Sequence, residues 1–185
     1  MTAQSTMNGV NVDRLVETVN LIKETPDLAN FEFRCNTEWT GGGRSVTTIN
    51  SFYGAGSDHE HQRSHQLVGD EPDVLLGEDT GPNAVETILA ALASCLAVGY
   101  SYNAAAQGIE IRDLKFEVSG TLDLHAFLGL RDDVRPGYES ITVRWWVDSP
   151  ADREQLIELC NYVQRTSPVL DIISNKVPVS VELAN

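Results

Sequence analysis

The chain is short of cysteine and basic residues, and it has no long apolar run. It carries three cysteines in 185 residues, Cys35, Cys95 and Cys160, and no two stand in a CxxC pair. An odd number without paired spacing argues against a disulfide framework and points to a reducing compartment. Lys and Arg total 13 against 27 Asp and Glu, a formal charge of −14 with a pI near 4.5. Nucleic acid and anionic membrane surfaces both need a basic patch, so neither is expected as a partner. The N-terminal "MTAQSTMNGVN" lacks a basic and then apolar leader, so no secretory signal is expected. The longest apolar run, residues 88–98, is shorter than a bilayer span. These features together lead us to expect a cytoplasmic location. There is no P-loop, dinucleotide fingerprint or hydrolase elbow. No cofactor or metal is implied.

The chain is long enough to bury a core without disulfides or metal. Residues 1–9 are polar and read as a disordered tail; residues 10–185 read as one domain. Leu15, Val16, Val19, Leu21 and Ile22 recur at helical spacing until Pro26. "FEFRCNTEW" alternates, which predicts a half-buried strand with Phe31, Phe33, Cys35, Thr37 and Trp39 on one face. "TGGGR" is a turn, and "SVTTINSFY" returns as the second strand of a hairpin. "GAGSDHEHQRSHQ" reads as a loop leading to a strand near residues 63–69.

The longest expected element is a helix from about Pro82 to Gln107, ended by Gly108. Asn83 and Glu86 form a capping-box pattern at its start, and its apolar middle predicts burial on most faces. "DLKFEVSGTLDL" and "ITVRWWVDS" alternate as strands around the long loop "HAFLGLRDDVRPGYES". Residues 151–165 form an amphipathic helix, and Ser167 caps a short one opened by Pro168. "KVPVSVEL" closes the chain as an edge strand. Strands, a buried helix, more strands, then helices make the class α+β.

Cys95 lies in "ILAALASCLAVGY". Free cysteine is among the most buried residue types, so spacing alone makes it a core filler. A mid-helix thiol gains nothing from a helix N-terminus, and apolar surroundings oppose its ionisation. A reactive Cys95 therefore needs a positive partner. Cys160 shares an apolar helical face with Leu156 and Val163, and Cys35 lies on the inward face of its strand; both read as core. His59, His61 and His65 have the alternation of HxH metal ligands, but on a loop without fixed partners they read as solvated polar groups. Phe127, Leu128 and Leu130 place apolar side chains on a loop, which suggests a partner surface or a lid.

"LLGEDTGPNAVETILAALASC", followed by "AAAQGIEIRDLKFEVSGTLDL" and "SPVLDIISNKVPVSVEL", resembles the OsmC family of osmotically inducible and organic-hydroperoxide-resistance proteins, from about Trp39 onward. The resemblance implies an α+β fold with a long central helix packed inside an entwined homodimer. It also implies thiol-dependent reduction of an organic hydroperoxide, with a dithiol of lipoyl type as reductant. Cys95 matches the attacking cysteine, and Arg44, after the glycines of the turn, matches the arginine that stabilises a thiolate.

The family glutamate stands ten positions before the cysteine, where this chain has Val85. Glu86 is nine positions before Cys95, which turns it to the opposite side of a straight helix. The family's Cys-Pro-Val motif reads Ser167-Pro168-Val169 here, so the capping role survives and the second redox thiol does not. Cys160 is the one candidate substitute. The expected function is a one-cysteine hydroperoxide reductase in oxidative-stress defence with Cys95, Arg44 and Glu86 as site residues. The alternatives are a dimer that binds a small apolar or acyl ligand, and an acidic dimer that binds another protein.

Overall fold

The computed structural model describes residues 5–184 and divides the chain into two compact units. One joins the N-terminal residues through Val12 to Leu89–Asn185, and the other is Asp13–Ile88.

In the first unit, β1 (Thr6–Met7) and β2 (Val10–Asn11) pair antiparallel through a tight turn. Asn8 and Gly9 both take positive φ in that turn, 53° and 76°, as a two-residue hairpin of this hand requires. The Asn8 amide nitrogen donates to the Ile109 carbonyl and its oxygen accepts from the Ile111 amide, both at 2.9 Å. Two long-range hydrogen bonds therefore order a segment that its polar composition predicts to be a loose tail. The part of that expectation on residues 1–4 lies outside the described residues.

The long helix α2 runs Ala84–Ala106 and passes from the second unit into the first. Its end is a Schellman motif: the Ile109 amide donates to Ala104 O at 2.9 Å and the Gly108 amide to Ala105 O at 3.2 Å, with Gly108 at φ +72°. Burial differs from the expectation of a helix covered on most faces. Leu92, Leu96, Tyr100 and Ala104 form one buried stripe at a spacing of four, while Val98 and Tyr102 are exposed within the single chain.

That stripe packs against a two-stranded antiparallel sheet, β7 (Asp113–Thr121) and β8 (Ser140–Asp148). Both strands alternate as expected, with Leu114, Phe116 and Val118 against Val147, Trp145 and Val143 on the inner face. Tyr100 sits between the Phe116 and Trp145 rings, at centroid distances of 5.6 and 5.0 Å. The connection between β7 and β8 holds one short turn of helix, α3 (Leu124–Phe127), capped by Asp123.

Two helices complete the core. α4 (Arg153–Thr166) starts at a capping box between Asp152 and Gln155, and buries Leu159 and Val163. α5 (Pro168–Ser174) follows at once, with Ser167 as its N-cap. The closing segment is a correction: residues 175–184 alternate like a strand but pair with none among the described residues. Val179, Val181 and Leu183 there are at least four-fifths exposed.

The second unit holds α1 (Val12–Glu24, its first residue belonging to the first unit) and a four-stranded antiparallel sheet. β3 (Glu32–Phe33) and β4 (Asn36–Gly41) both pair with one edge of β5 (Arg44–Gly54), and β6 (Ser57–Gly69) pairs with the other. The hairpin of β4 and β5 is as predicted. The first strand is not half-buried: it breaks between Phe33 and Asn36, and Phe33, Cys35 and Trp39 are exposed. β6 replaces the predicted loop over residues 57–62.

Residues 70–82 then form a compact loop pinned by buried Asp70. Its carboxylate accepts from the Glu71 amide at 2.8 Å, the Thr80 amide at 3.1 Å and the Thr80 hydroxyl at 2.7 Å. Those bonds, the Thr80 hydroxyl first, hold the carboxyl below its ordinary range. Gly81 closes the loop against β6, where a Cβ would stand 2.3 Å from the Val68 carbonyl oxygen.

Candidate functional site: a cysteine at a helix crossing

Cys95 lies midway along α2, on the flank of the buried stripe, and is half-buried. Its sulfur is 3.2 Å from the Ser167 hydroxyl. Ser167 retains 6% of its accessible surface, and its oxygen also accepts from the Leu170 amide at 3.2 Å. The N-cap of α5 thus touches the thiol across 72 residues of sequence.

The helix crossing fixes this contact. α2 and α4 run antiparallel, with Cys95 facing Ser167, Gly99 against Val163, and Tyr100 neighbouring Cys160. A Cβ on Gly99 would lie 2.8 Å from Val163 Cγ1, so the glycine sets how closely the two helices approach. Burial, and then the neighbouring Cys160, push the Tyr100 hydroxyl well above the ordinary tyrosine range, so it stays neutral. Cys160 also accepts from Gln164 Nε2 at 3.2 Å. Its contact point on α2, Tyr100, is five residues beyond Cys95, roughly 7.5 Å of helix rise. The structure therefore pairs Cys160 with Tyr100, and pairs Cys95 with Ser167.

The other expected site residues belong to the second unit. Arg44 opens β5, pairs with Gly41 and is exposed; it forms no ion pair among the described residues. Glu86 completes the predicted capping box: its Oε2 accepts from the Asn83 amide at 3.0 Å, and the Glu86 amide donates to Asn83 Oδ1 at 2.8 Å. This structural role accounts for the residue without any chemistry.

The three histidines lie on strand β6, not on a loop. His59 stacks on Phe52 at 5.2 Å, His61 meets Phe52 at 5.3 Å, and His61 and His65 meet edge-on at 5.1 Å. Phe33 continues this aromatic row at 5.7 Å from Phe52. Among the described residues no three His, Cys, Asp or Glu side chains converge as a metal set. Phe127, Leu128 and Leu130 are exposed, as their loop position predicts, and Leu130 helps line an open hollow of about 590 Å³ with Arg131 and Val134.

Sequence reasoning identified Cys95 and the capping role of Ser167, and it missed their contact. Spacing carries no signal for a pairing so distant in the chain. The one available pointer was the place of Ser167 in the Ser-Pro-Val segment, where the family resemblance expects a second thiol.

A long helix carrying a half-buried thiol, crossed by a capped helix pair and backed by antiparallel sheet, defines an α+β protein with a cysteine–hydroxyl pair at its helix crossing. Comparison with known proteins gives the family. A family model described as OsmC-like protein matches residues 77–182, more than half of the chain, and the protein belongs to the OsmC-like family.

Solved structures agree on the fold. The OsmC-like protein of Mycoplasma pneumoniae superposes with a TM-score of 0.61 at 17% identity, over 77% of this chain and 87% of that one. A putative osmotic stress induced and detoxification response protein from Psychrobacter arcticus gives 0.55 at 16% identity, over 74% and 85%. The organic hydroperoxide resistance protein OsmC of Legionella pneumophila gives 0.52 at 14% identity, over 76% and 89%. A search of curated proteins finds no match.

Proposed function

We propose that the protein is a thiol peroxidase that reduces organic hydroperoxides, with Cys95 as the residue oxidised. The observation that carries this reading is the Cys95–Ser167 contact of 3.2 Å on a half-buried helical cysteine, in a chain of the OsmC-like family. A core-filling cysteine needs no hydroxyl beside it. A nucleophilic one gains from a donor, because the thiolate is the reacting form. The name of the Legionella protein, organic hydroperoxide resistance, supports the substrate class.

Arg44 is proposed as the cation that stabilises the thiolate, on the strength of its place after the glycine turn and its lack of an ion-pair partner among the described residues. Glu86 keeps its capping role at the start of α2.

The working form is proposed to be a homodimer. Two apolar surfaces support this: Val98 and Tyr102 on α2, and the unpaired alternating Val179, Val181 and Leu183. Exposed apolar rows of this kind are what a second copy would cover.

The test is turnover. Purified protein with a dithiol should consume an organic hydroperoxide, Cys95→Ser should lose that activity, and Arg44→Ala should lower it by about 100–1000-fold, as expected for loss of electrostatic stabilisation. Full activity in Cys95→Ser would refute the reading. The ligand-binding alternative would then be favoured if the dimer retained an apolar or acyl molecule in native mass spectrometry.

A further inference from the structure

Ser167 does more at this crossing than cap a helix. Its hydroxyl has one hydrogen and two lone pairs. One lone pair is occupied by the Leu170 amide at 3.2 Å, and the Cys95 sulfur lies within hydrogen-bond reach of the same oxygen, also at 3.2 Å. With 6% of its surface accessible, the hydroxyl has little recourse to water. Against a neutral thiol either atom can donate. Against a thiolate only Ser167 can, and that bond is charge-assisted and stronger. The 3.2 Å contact thus places a donor beside the sulfur for whichever step of a reaction carries the negative charge.

We propose that Ser167 is a positioning residue for Cys95, whose hydroxyl donates first to the thiolate and then to the sulfenate, so that oxidation stops at a sulfenic acid and a small external thiol completes the cycle. This rests on the peroxidase reading above.

The chemistry balances in three steps. The Cys95 thiolate attacks the terminal oxygen of a hydroperoxide: an S–O bond forms, the O–O bond breaks, and the alkoxide takes a proton and leaves as the alcohol. The sulfur loses two electrons and the peroxide gains them. A first external thiol attacks the sulfenic sulfur, forming a mixed disulfide and releasing water. A second thiol attacks the outer sulfur of that disulfide, returning the Cys95 thiolate and leaving as the oxidised dithiol or thiol pair.

An internal second step is closed off by the geometry. Ser167 stands where a thiol would be within reach of Cys95 after side-chain rotation, and an oxygen forms no such bond. Cys160 is bonded by Gln164 at 3.2 Å and stands seven residues before Ser167, about 10 Å of helix rise along α4 from the position that meets Cys95.

The experiment uses the full chain and four variants: Ser167→Ala, Ser167→Gly, Ser167→Thr and Ser167→Cys. Glycine is included because it retains most of an N-cap's stability without the hydroxyl, should alanine prevent folding. The first readout is the pH profile of Cys95 alkylation by iodoacetamide. Ala and Gly should move the profile to higher pH by about one unit, a tenfold loss of thiolate at fixed pH, and Thr should restore it. A residue that only capped α5 would change the unfolding midpoint and leave this profile in place.

The second readout is intact mass after one equivalent of cumene hydroperoxide. The native chain should gain one oxygen, trapped by dimedone, and then one β-mercaptoethanol as a mixed disulfide. Ser167→Cys should instead lose two hydrogens and form no dimedone adduct. Unchanged alkylation profiles in both hydroxyl-free variants would overturn the proposal, as would a Cys95–Cys160 disulfide in the native chain. Failure of Cys95 to oxidise in any variant would overturn the peroxidase reading itself, so the two failures are distinguishable.

Discussion

The contact between Gly99 and Val163 sets the spacing of the helices that hold the site, and it can be measured. Gly99→Ala adds a Cβ 2.8 Å from Val163 Cγ1, where carbon atoms prefer 3.5–4.0 Å. Val163 is fully buried and β-branched, so it cannot swing aside. Overpacking of this kind costs about 1–3 kcal/mol, against about 1 kcal/mol gained by replacing glycine with alanine inside a helix. The single variant should therefore be destabilised by no more than about 2 kcal/mol.

Val163→Ala removes two buried methyl groups, about 1.6 kcal/mol of transfer free energy plus a cavity cost. In the double variant the new Cβ enters the space vacated by the valine, and the strain disappears. The account predicts that the double variant is more stable than the sum of its parts by about 1–3 kcal/mol. Urea unfolding of the four proteins at one fixed concentration, followed by both fluorescence and circular dichroism, measures this coupling. Additivity within about 0.5 kcal/mol would refute the close approach of α2 and α4.

Two further predictions concern the loops. Asp70 has a folded pKa below its unfolded value, so its stabilisation is complete above the ordinary carboxylate range and is lost as pH falls through the folded pKa. Asp70→Asn should accordingly lower the urea midpoint at pH 7, and its difference from the native chain should narrow as the pH falls below the ordinary carboxylate range; a difference that stays constant on acidification would contradict the bonding to Thr80 and Glu71. Asn8→Gly keeps the left-handed turn but loses the bonds to Ile109 and Ile111, which should cost about 1–2 kcal/mol in thermal or urea unfolding. A variant as stable as the native chain would show that the N-terminal hairpin is not anchored there.

Much of the chain from α2 to β8 was legible from sequence because its signals are local. Alternation fixed β7 and β8, the Asn83–Glu86 pair fixed the start of α2, and Gly108 fixed its end. β6 was missed over residues 57–62 because "SDHEHQ" has no apolar alternation to read; the ladder with β5, the stacking of His59 on Phe52 and the tilted contact of His61 with the same ring hold it extended. The N-terminal hairpin was missed because its order comes from Asn8 bonding more than 100 residues away.

The opposite error occurs at the C-terminus. Residues 177–183 have the pattern of a strand, and pattern alone does not supply a pairing edge. The site divides the same way. Cys95 and the cap at Ser167 were visible, while the bond between them belongs to the crossing of α2 and α4, set by a glycine whose role only the packing reveals.

The central claim is that Cys95 is a nucleophile and not a core filler. Its most direct test is dimedone labelling of the native protein after one equivalent of an organic hydroperoxide, with the modified peptide identified by mass spectrometry. The account predicts one adduct, on the peptide that carries Cys95, and none in Cys95→Ser. An unlabelled Cys95, or labelling confined to Cys35 or Cys160, would contradict it.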